Sequence, residues 1–347
     1  MPKPTLKALI IPFALAIAAL AITLFAILAP SKSPQSDQFT ITASNFALHD
    51  FARAITADTP VDNSLLVKPG RSTHDYDPSP EDILQIQRSD LFIYVGGESD
   101  AWIERLLDEQ QISAKNTLRL LDLITPETEA TALEAETEDH DSASSDYHSS
   151  DHATDIDEHI WTSPSNALQI TQAIYDRLAV AQHEQITSSH RTIFAKNLKT
   201  YHAKLNALHQ AFRDISHAAT NRTLVFADPF PFRYFVSAYN FDYLAAFPGC
   251  SDESEASPQT VAKLIDFVNT NKSNSIFKIE HTSGQLAQTI ADATGAKVYT
   301  LHSAHFITPE EFNRGLTYLD LMYSNAETLN QALSSNLDLR SLKDALK

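Results

Sequence analysis

One apolar stripe near the middle of the chain constrains the fold more than any other feature. Its members recur at alternating spacings of four and three residues, and they are Phe194, Leu198, Tyr201, Leu205, Leu208, Phe212 and Ile215. This is the spacing of one face of an α-helix, sustained for about six turns, and no proline or glycine interrupts it. A coiled-coil seam would share the pattern, but a single such helix in mid-chain is more easily a rigid element packed across two lobes. We therefore predict a linking helix in residues 186–220.

Strands and helices alternate on both sides of this helix. Before it we predict strands at 39–44, 64–67 and 91–97, with helices around Leu48 to Ile55 and Pro80 to Arg88. After it we predict strands at 223–228, 275–280 and 297–302, with helices at 230–239, 257–271, 284–294 and 316–333. Such alternation is typical of open parallel sheets. The predicted fold class is α/β, with two Rossmann-like lobes (residues 39–185 and 221–347) joined by the long rigid helix.

The N-terminus carries an export or anchoring signal. Lys3 and Lys7 precede an uncharged stretch over residues 8–30, which is about the length of a helix that spans a bilayer. No small-residue cleavage site follows it, and the only cysteine, Cys250, lies far downstream. We favour an uncleaved signal anchor and linker in residues 1–38, with a cleaved signal peptide as the alternative. Either predicts a transmembrane or signal helix ahead of the lobes, and a body exported to the cell surface or periplasm.

Composition excludes several function classes. The formal net charge of −18 argues against nucleic-acid binding, which needs a basic face. A single cysteine excludes an intramolecular disulfide and any zinc or iron–sulfur site built from cysteines. The chain has only 7 glycines and neither glycine-rich nucleotide motif, but it has 14 histidines. A bound metal would therefore be held by histidines and carboxylates.

Residues 126–155 differ from the rest of the first lobe. They are acidic and serine-rich, contain His140, His148 and His152, and show no hydrophobic periodicity. We predict a mobile loop. It could collect metal weakly and pass it inward, or it could be a solvated insertion without function.

The candidate functional residues follow predicted strands. Ligands of open α/β sheets bind outside the carboxyl ends of the strands, and the polar residues placed there, or just before a helix, are His74, His159, Asp228, Glu280, His302 and His305. Imidazole and carboxylate groups without a thiolate suit Zn²⁺ or Mn²⁺. Asp228 could instead cap the following helix, and Glu280 could be a structural hydrogen-bonding partner.

Three motifs carry a family resemblance. PGRSTHDYDPSPEDILQIQRSDLFIYVGG, DEHIWTSP and TGAKVYTLHSAHFIT resemble the metal-binding proteins of ABC importers for zinc and manganese, the cluster A-I or cluster 9 solute-binding proteins. The resemblance runs from about Phe39 to the C-terminus. It implies a monomeric, non-catalytic body that captures a divalent metal and delivers it to a membrane permease. The acidic, histidine-containing loop before DEHIW resembles the zinc branch of the family, and manganese remains the alternative cargo.

The resemblance also implies a ligand set. His74 and His159 match the family's first two metal ligands. The third is usually a His or Glu after the first strand of the second lobe, where this chain has FADPFPFRYF, so Asp228 is the nearest candidate. The fourth is an acid in the loop where this chain has LHSAH, so both His302 and His305 are eligible. Cys250, in PGCS, is expected near the site.

Two other functions are compatible with parts of the sequence. An exported metal-dependent hydrolase would need a free general base, and Glu280 could serve, although no HExxH-like helix is present. An adhesin would need only the anchor and the acidic surface, and it predicts no high-affinity metal site.

Overall fold

The computed structural model describes residues 38–72, 74, 76–129, 156–247, 249 and 256–347. Residues 38–347 form one compact unit. The predicted signal segment, most of the predicted mobile loop and Cys250 lie outside the described residues, so the predictions on them stay open. Among the residues that are described, no helix is both long and apolar enough to cross a membrane.

The first lobe is built on a parallel sheet of four short strands. Its strands are β1 (Thr40–Ala43), β2 (Asp62–Leu65), β3 (Leu91–Tyr94) and β4 (Thr117–Arg119), in the order β2-β1-β3-β4. Its helices are α1 (Phe46–Thr56), α2 (Pro80–Arg88), α3 (Ala101–Asp108) and, after the loop, α4 (Pro164–Val180). The chain reverses its direction of winding between β1 and β3, where ligand crevices of open sheets form.

The second lobe repeats this plan. Its strands are β5 (Thr223–Pro229), β6 (Asp242–Phe247), β7 (Ser275–Ile279) and β8 (Lys297–Leu301), all parallel and in the order β6-β5-β7-β8. Its helices are α6 (Arg233–Tyr239), α7 (Pro258–Thr270), α8 (Gln285–Thr294), α9 (Pro309–Asn313), α10 (Tyr318–Ala332) and α11 (Arg340–Leu346). The matching strand order puts a second crevice between β5 and β7.

The long helix α5 runs over Ser188–Ala218 and confirms the predicted linking element. The Thr187 side chain accepts a hydrogen bond from the His190 amide in a capping box, which fixes where the helix begins. All seven stripe residues are buried. They belong to one hydrophobic cluster that also includes residues of α1 and α10, so burial of the stripe holds both lobes to the same helix.

The structure also differs from the sequence-based prediction at several elements. Strand β2 begins two residues earlier than predicted, and the edge strands β4 and β6 are not among the predicted elements. Helix α6 begins at Arg233 rather than at 230. The reason is that Phe230 and Phe232 pack on Phe226 in a buried aromatic cluster, an irregular arrangement that the prolines at 229 and 231 favour over a first helical turn.

Candidate metal centre

Three histidines from the two lobes meet at one point. His74 lies in the loop after β2, His159 directly precedes the 3₁₀ turn Ile160–Thr162 that leads into α4, and His305 lies in the loop after β8. One ring nitrogen from each lies within 4.8 Å of the others. Within the described part of the chain, this is the one group of three or more His, Cys, Asp or Glu side chains close enough to hold a metal ion.

The spacing of the rings fits a tetrahedral ion. The Nε2 atoms of His74 and His159 are 3.3 Å apart, and the ring centroids of His74 and His305 are 4.7 Å apart. Two imidazole nitrogens bound to one tetrahedral Zn²⁺ at 2.0–2.1 Å would be about 3.3 Å apart. The two Nε2 atoms therefore have the separation of one edge of such a site.

Two of the three rings are held neutral. Burial lowers the pKa of His74 to about 3, with a further contribution from His159. Burial also lowers the pKa of His305 well below its usual value, and the neighbouring imidazoles of His74 and His159 lower it further. Only a neutral imidazole has a lone pair for a metal ion, so both rings are ready to bind at neutral pH without first losing a proton.

His159 is held by a carboxylate. Asp157 Oδ1 accepts the His159 backbone N–H at 2.7 Å and lies 3.2 Å from His159 Nδ1. Burial lowers the pKa of His159, but the hydrogen bond and negative charge of Asp157, together with the charges of Glu158 and Glu129, outweigh burial, so the net shift is upward. A hydrogen bond from Nδ1–H to the carboxylate leaves Nε2 as the ligand atom and makes it more basic, as in many carboxylate–histidine–zinc arrangements. Sequence reasoning missed Asp157, although it stands two residues before His159 in DEHIWTSP.

His74 is held by a serine that depends on a second carboxylate. Ser99 Oγ lies 2.8 Å from His74 Nδ1, which again directs Nε2 toward the cluster. The backbone N–H of Ser99 donates to Glu158 Oε1 at 2.7 Å. Glu158 is buried and packs directly over Gly97, where a Cβ would overlap its side chain. No sequence signal pointed to Ser99 or Glu158, because their contact joins residues 59 positions apart.

This packing predicts the effect of Gly97→Ala. The added methyl displaces Glu158, which removes the partner of Ser99 and loosens His74. We expect zinc affinity to fall about 10-fold, the lower end of the range for outer partners of metal ligands. Isothermal titration with a competing chelator measures it.

Gly315→Ala is the control for Gly97→Ala. Gly315 is exposed, has a φ of +76° and has no atom near an added Cβ, so this change costs about 1 kcal/mol of stability through backbone strain. Its zinc affinity should match the unmodified chain. Equal affinities in the two variants would contradict the role given to Glu158.

The other predicted site residues lie outside this cluster. Asp228 Oδ2 accepts hydrogen bonds from Ile279 N and Thr282 Oγ1, and burial raises the pKa of its carboxyl. The backbone of His302 is paired at both N–H and C=O with the Asn325 side chain. Glu280 uses both carboxylate oxygens on Ser303. The structure thus brings together three of the five predicted ligands, His74, His159 and His305.

Two parallel-sheet lobes bridged by one long helix, with a cluster of side chains from both at their junction, define a two-lobed solute-binding protein. The family described as "Zinc-uptake complex component A periplasmic" matches residues 41–332, and the chain belongs to this family. It is a family of uptake-complex components rather than of enzymes.

Known proteins of this kind are similar along most of the chain. The zinc-binding lipoprotein AdcA of Streptococcus pneumoniae (strain TIGR4) is 27% identical over 308 residues, covering 88% of this chain but 58% of AdcA. The high-affinity zinc uptake system protein ZnuA of Bacillus subtilis (strain 168) is 26% identical over 306 residues, covering 87% of this chain and 90% of ZnuA. The crystal structure of the Zn(II)-bound ZnuA-like domain of S. pneumoniae AdcA superimposes with a TM-score of 0.66 at 23% identity, covering 85% and 99% of the two chains.

Proposed function

We propose that this protein captures Zn²⁺ outside the cytoplasm and delivers it to the permease of an ABC importer. The observation that carries the proposal is the cluster of His74, His159 and His305, with two Nε2 atoms 3.3 Å apart. Membership of a zinc-uptake family supports the cargo and the partner. So does the likeness to ZnuA of B. subtilis, named as part of a zinc uptake system.

The donor set favours zinc over manganese. Neutral imidazoles suit zinc, whereas manganese prefers carboxylate, carbonyl and water oxygens. Of the buried carboxylates bonded to the loops of this cluster, Glu280 uses both oxygens on Ser303, and Asp157 Oδ1 is bonded to the backbone and ring of His159. We therefore assign His74, His159 and His305 as the protein ligands and place Asp228 and His302 outside the coordination sphere.

Sharing the ligands between lobes lets the body signal whether it is loaded. His74 and His159 belong to the first lobe and His305 to the second, so a bound ion adds attraction between the lobes that the empty protein lacks. Because α5 packs against both lobes, the response is a small tilt or loop rearrangement rather than a wide hinge opening. A permease that contacts both lobes can then distinguish loaded from empty protein.

The geometry gives less support to a hydrolase. A zinc hydrolase needs a free general base beside the ion. Glu280 is the candidate base in the sequence, and its Oε1 and Oε2 accept hydrogen bonds from Ser303 Oγ and Ser303 N at 2.6 and 2.8 Å. A carboxylate bound in this way is not poised to take a proton from water.

A metal titration of the full chain tests the cargo. We expect one Zn²⁺ per chain, bound far more tightly than Mn²⁺. At free zinc 100-fold above the Kd, binding adds about 2.7 kcal/mol to the free energy of unfolding, which calorimetry detects as a higher Tm. Tighter binding of Mn²⁺ than of Zn²⁺ would replace the cargo assignment, and absence of tight binding of either metal would favour an adhesin.

Uptake in cells tests the delivery. Cells that lack this protein should take up less ⁶⁵Zn when zinc is scarce, and the intact chain should restore uptake. His159→Ala, expressed to the same level, should fail to restore it because the cargo is not held. Restoration by that variant would contradict a transport role for the histidine cluster.

A further inference from the structure

We propose that Glu280 is a positioning residue that sets the loop carrying His305 before any metal arrives. The inference deepens the proposed function and rests on it, because it concerns how the zinc site is assembled. It assigns to Glu280 neither a bond to the metal nor a step in catalysis.

Glu280 binds the loop after β8 at a single residue, Ser303. It directly follows β7, and its buried carboxylate accepts Ser303 N at 2.8 Å through Oε2 and Ser303 Oγ at 2.6 Å through Oε1. The same Ser303 Oγ accepts the backbone N–H of His305 at 3.1 Å. Hydrogen bonds to an ionised acceptor are about twice as strong as neutral ones, so Glu280 fixes Ser303 and, through it, the backbone at His305.

The backbone of this loop is strained, so it needs the hydrogen bonds from Ser303 to Glu280 to keep its conformation. Ala304, between Ser303 and His305, is fully buried with a φ of +56°. The left-handed region costs a residue with a Cβ roughly 1–2 kcal/mol, and such a conformation persists only where its surroundings enforce it. The hydrogen bonds between Glu280 and Ser303 and the burial of Ala304 together keep the loop in this conformation.

Ser303 also joins the two lobes without a metal. The indole Nε1–H of Trp161 donates to the Ser303 carbonyl at 2.9 Å, and the Trp161 ring lies 5.7 Å from the ring of His305. Trp161 is two residues after His159. Glu280 therefore holds a residue whose backbone carbonyl is bonded to Trp161, on the His159 side of the cluster, and this contact helps to fix the position of His305 relative to His159.

Two substitutions test the role, with a matched control. Glu280→Gln keeps the shape but replaces an acceptor oxygen by an amide, and Ser303→Ala removes the hydroxyl between Glu280 and His305. Ser275→Ala removes another buried hydroxyl of the same lobe, which donates to the Ala332 carbonyl from the first residue of β7, at the end of that strand opposite to Glu280. The full chain carrying each change is compared for Zn²⁺ affinity, for the visible spectrum of bound Co²⁺, and for Tm without metal.

We expect Glu280→Gln and Ser303→Ala to weaken zinc binding about 10- to 100-fold, the range seen for outer partners of metal ligands. Their Co²⁺ spectra should change because His305 is displaced. In the metal-free protein, hydrogen exchange of the Trp161 indole should be faster, an effect resolved by NMR because the chain has 2 tryptophans. Ser275→Ala should lower Tm while leaving affinity, spectrum and exchange unchanged.

The possible results distinguish failure of the positioning role of Glu280 from failure of zinc capture itself. Unchanged affinity and spectrum in both variants would overturn the positioning role while leaving zinc capture intact. A lower Tm with an unchanged Co²⁺ spectrum would show a merely structural carboxylate and would overturn it as well. If the unmodified chain binds no zinc, the proposed function itself fails.

Discussion

Replacing His305 with alanine should lower the zinc affinity of the full chain by about 100-fold or more, whereas replacing His302, three residues earlier, should leave it unchanged. His305 belongs to the histidine cluster, and His302 does not. Tight four-ligand zinc sites have apparent binding free energies of about 10–16 kcal/mol, so each ligand contributes roughly 3 kcal/mol. At 1.4 kcal/mol per tenfold change, this is about two orders of magnitude in Kd.

His302→Ala is a well-matched control for His305→Ala because both residues lie in one short loop. His302 contacts Asn325 through its backbone N–H and C=O, and alanine keeps both groups. Competition with a chelator of known affinity gives the two Kd values. A loss of binding in His302→Ala with normal binding in His305→Ala would reverse the ligand assignment.

Replacing Asp157 with asparagine should weaken zinc binding about 10- to 100-fold without removing a ligand. The side chain keeps its shape and can still accept the His159 backbone N–H, but the negative charge beside the imidazole is lost. His159 then becomes a poorer electron donor to the ion. The pKa of His159, which Asp157 raises, should fall in the metal-free variant, and NMR titration of that ring measures the shift.

Asp90→Asn is the control for Asp157→Asn. Asp90 Oδ2 accepts the backbone N–H of Thr40 at 2.8 Å at the amino ends of β1 and β3, the edge of the sheet opposite to the loops that follow the strands. Its replacement should alter stability and not zinc affinity. If both variants bound zinc as tightly as the unmodified chain, the carboxylate at Asp157 would have no part in holding the metal.

Local patterns were enough for much of the fold. The stripe from Phe194 to Ile215 predicted the long helix because apolar residues at helical spacing over about six turns are typical of a packed α-helix. The continuous apolar run that begins at Leu91 predicted a buried strand, because such runs are typical of strands that are covered on both faces of a sheet. Edge strand β6 was not predicted although residues 243–247 are also apolar; its first three residues are exposed or only partly buried, and its position comes from pairing with β5.

The sequence by itself determined the α/β class and the two lobes around one helix, and it predicted histidine-based metal ligands that included His74 and His159. Only the tertiary structure decided that His305 rather than His302 or Asp228 joins them, and that Asp157, Ser99, Glu158 and Glu280 hold the cluster. The physical reason is that helices and strands follow from neighbours a few residues apart. A metal cluster depends instead on distances of a few ångströms between residues up to 231 positions apart, as His74 and His305 are, and those distances exist only once both lobes have packed on α5.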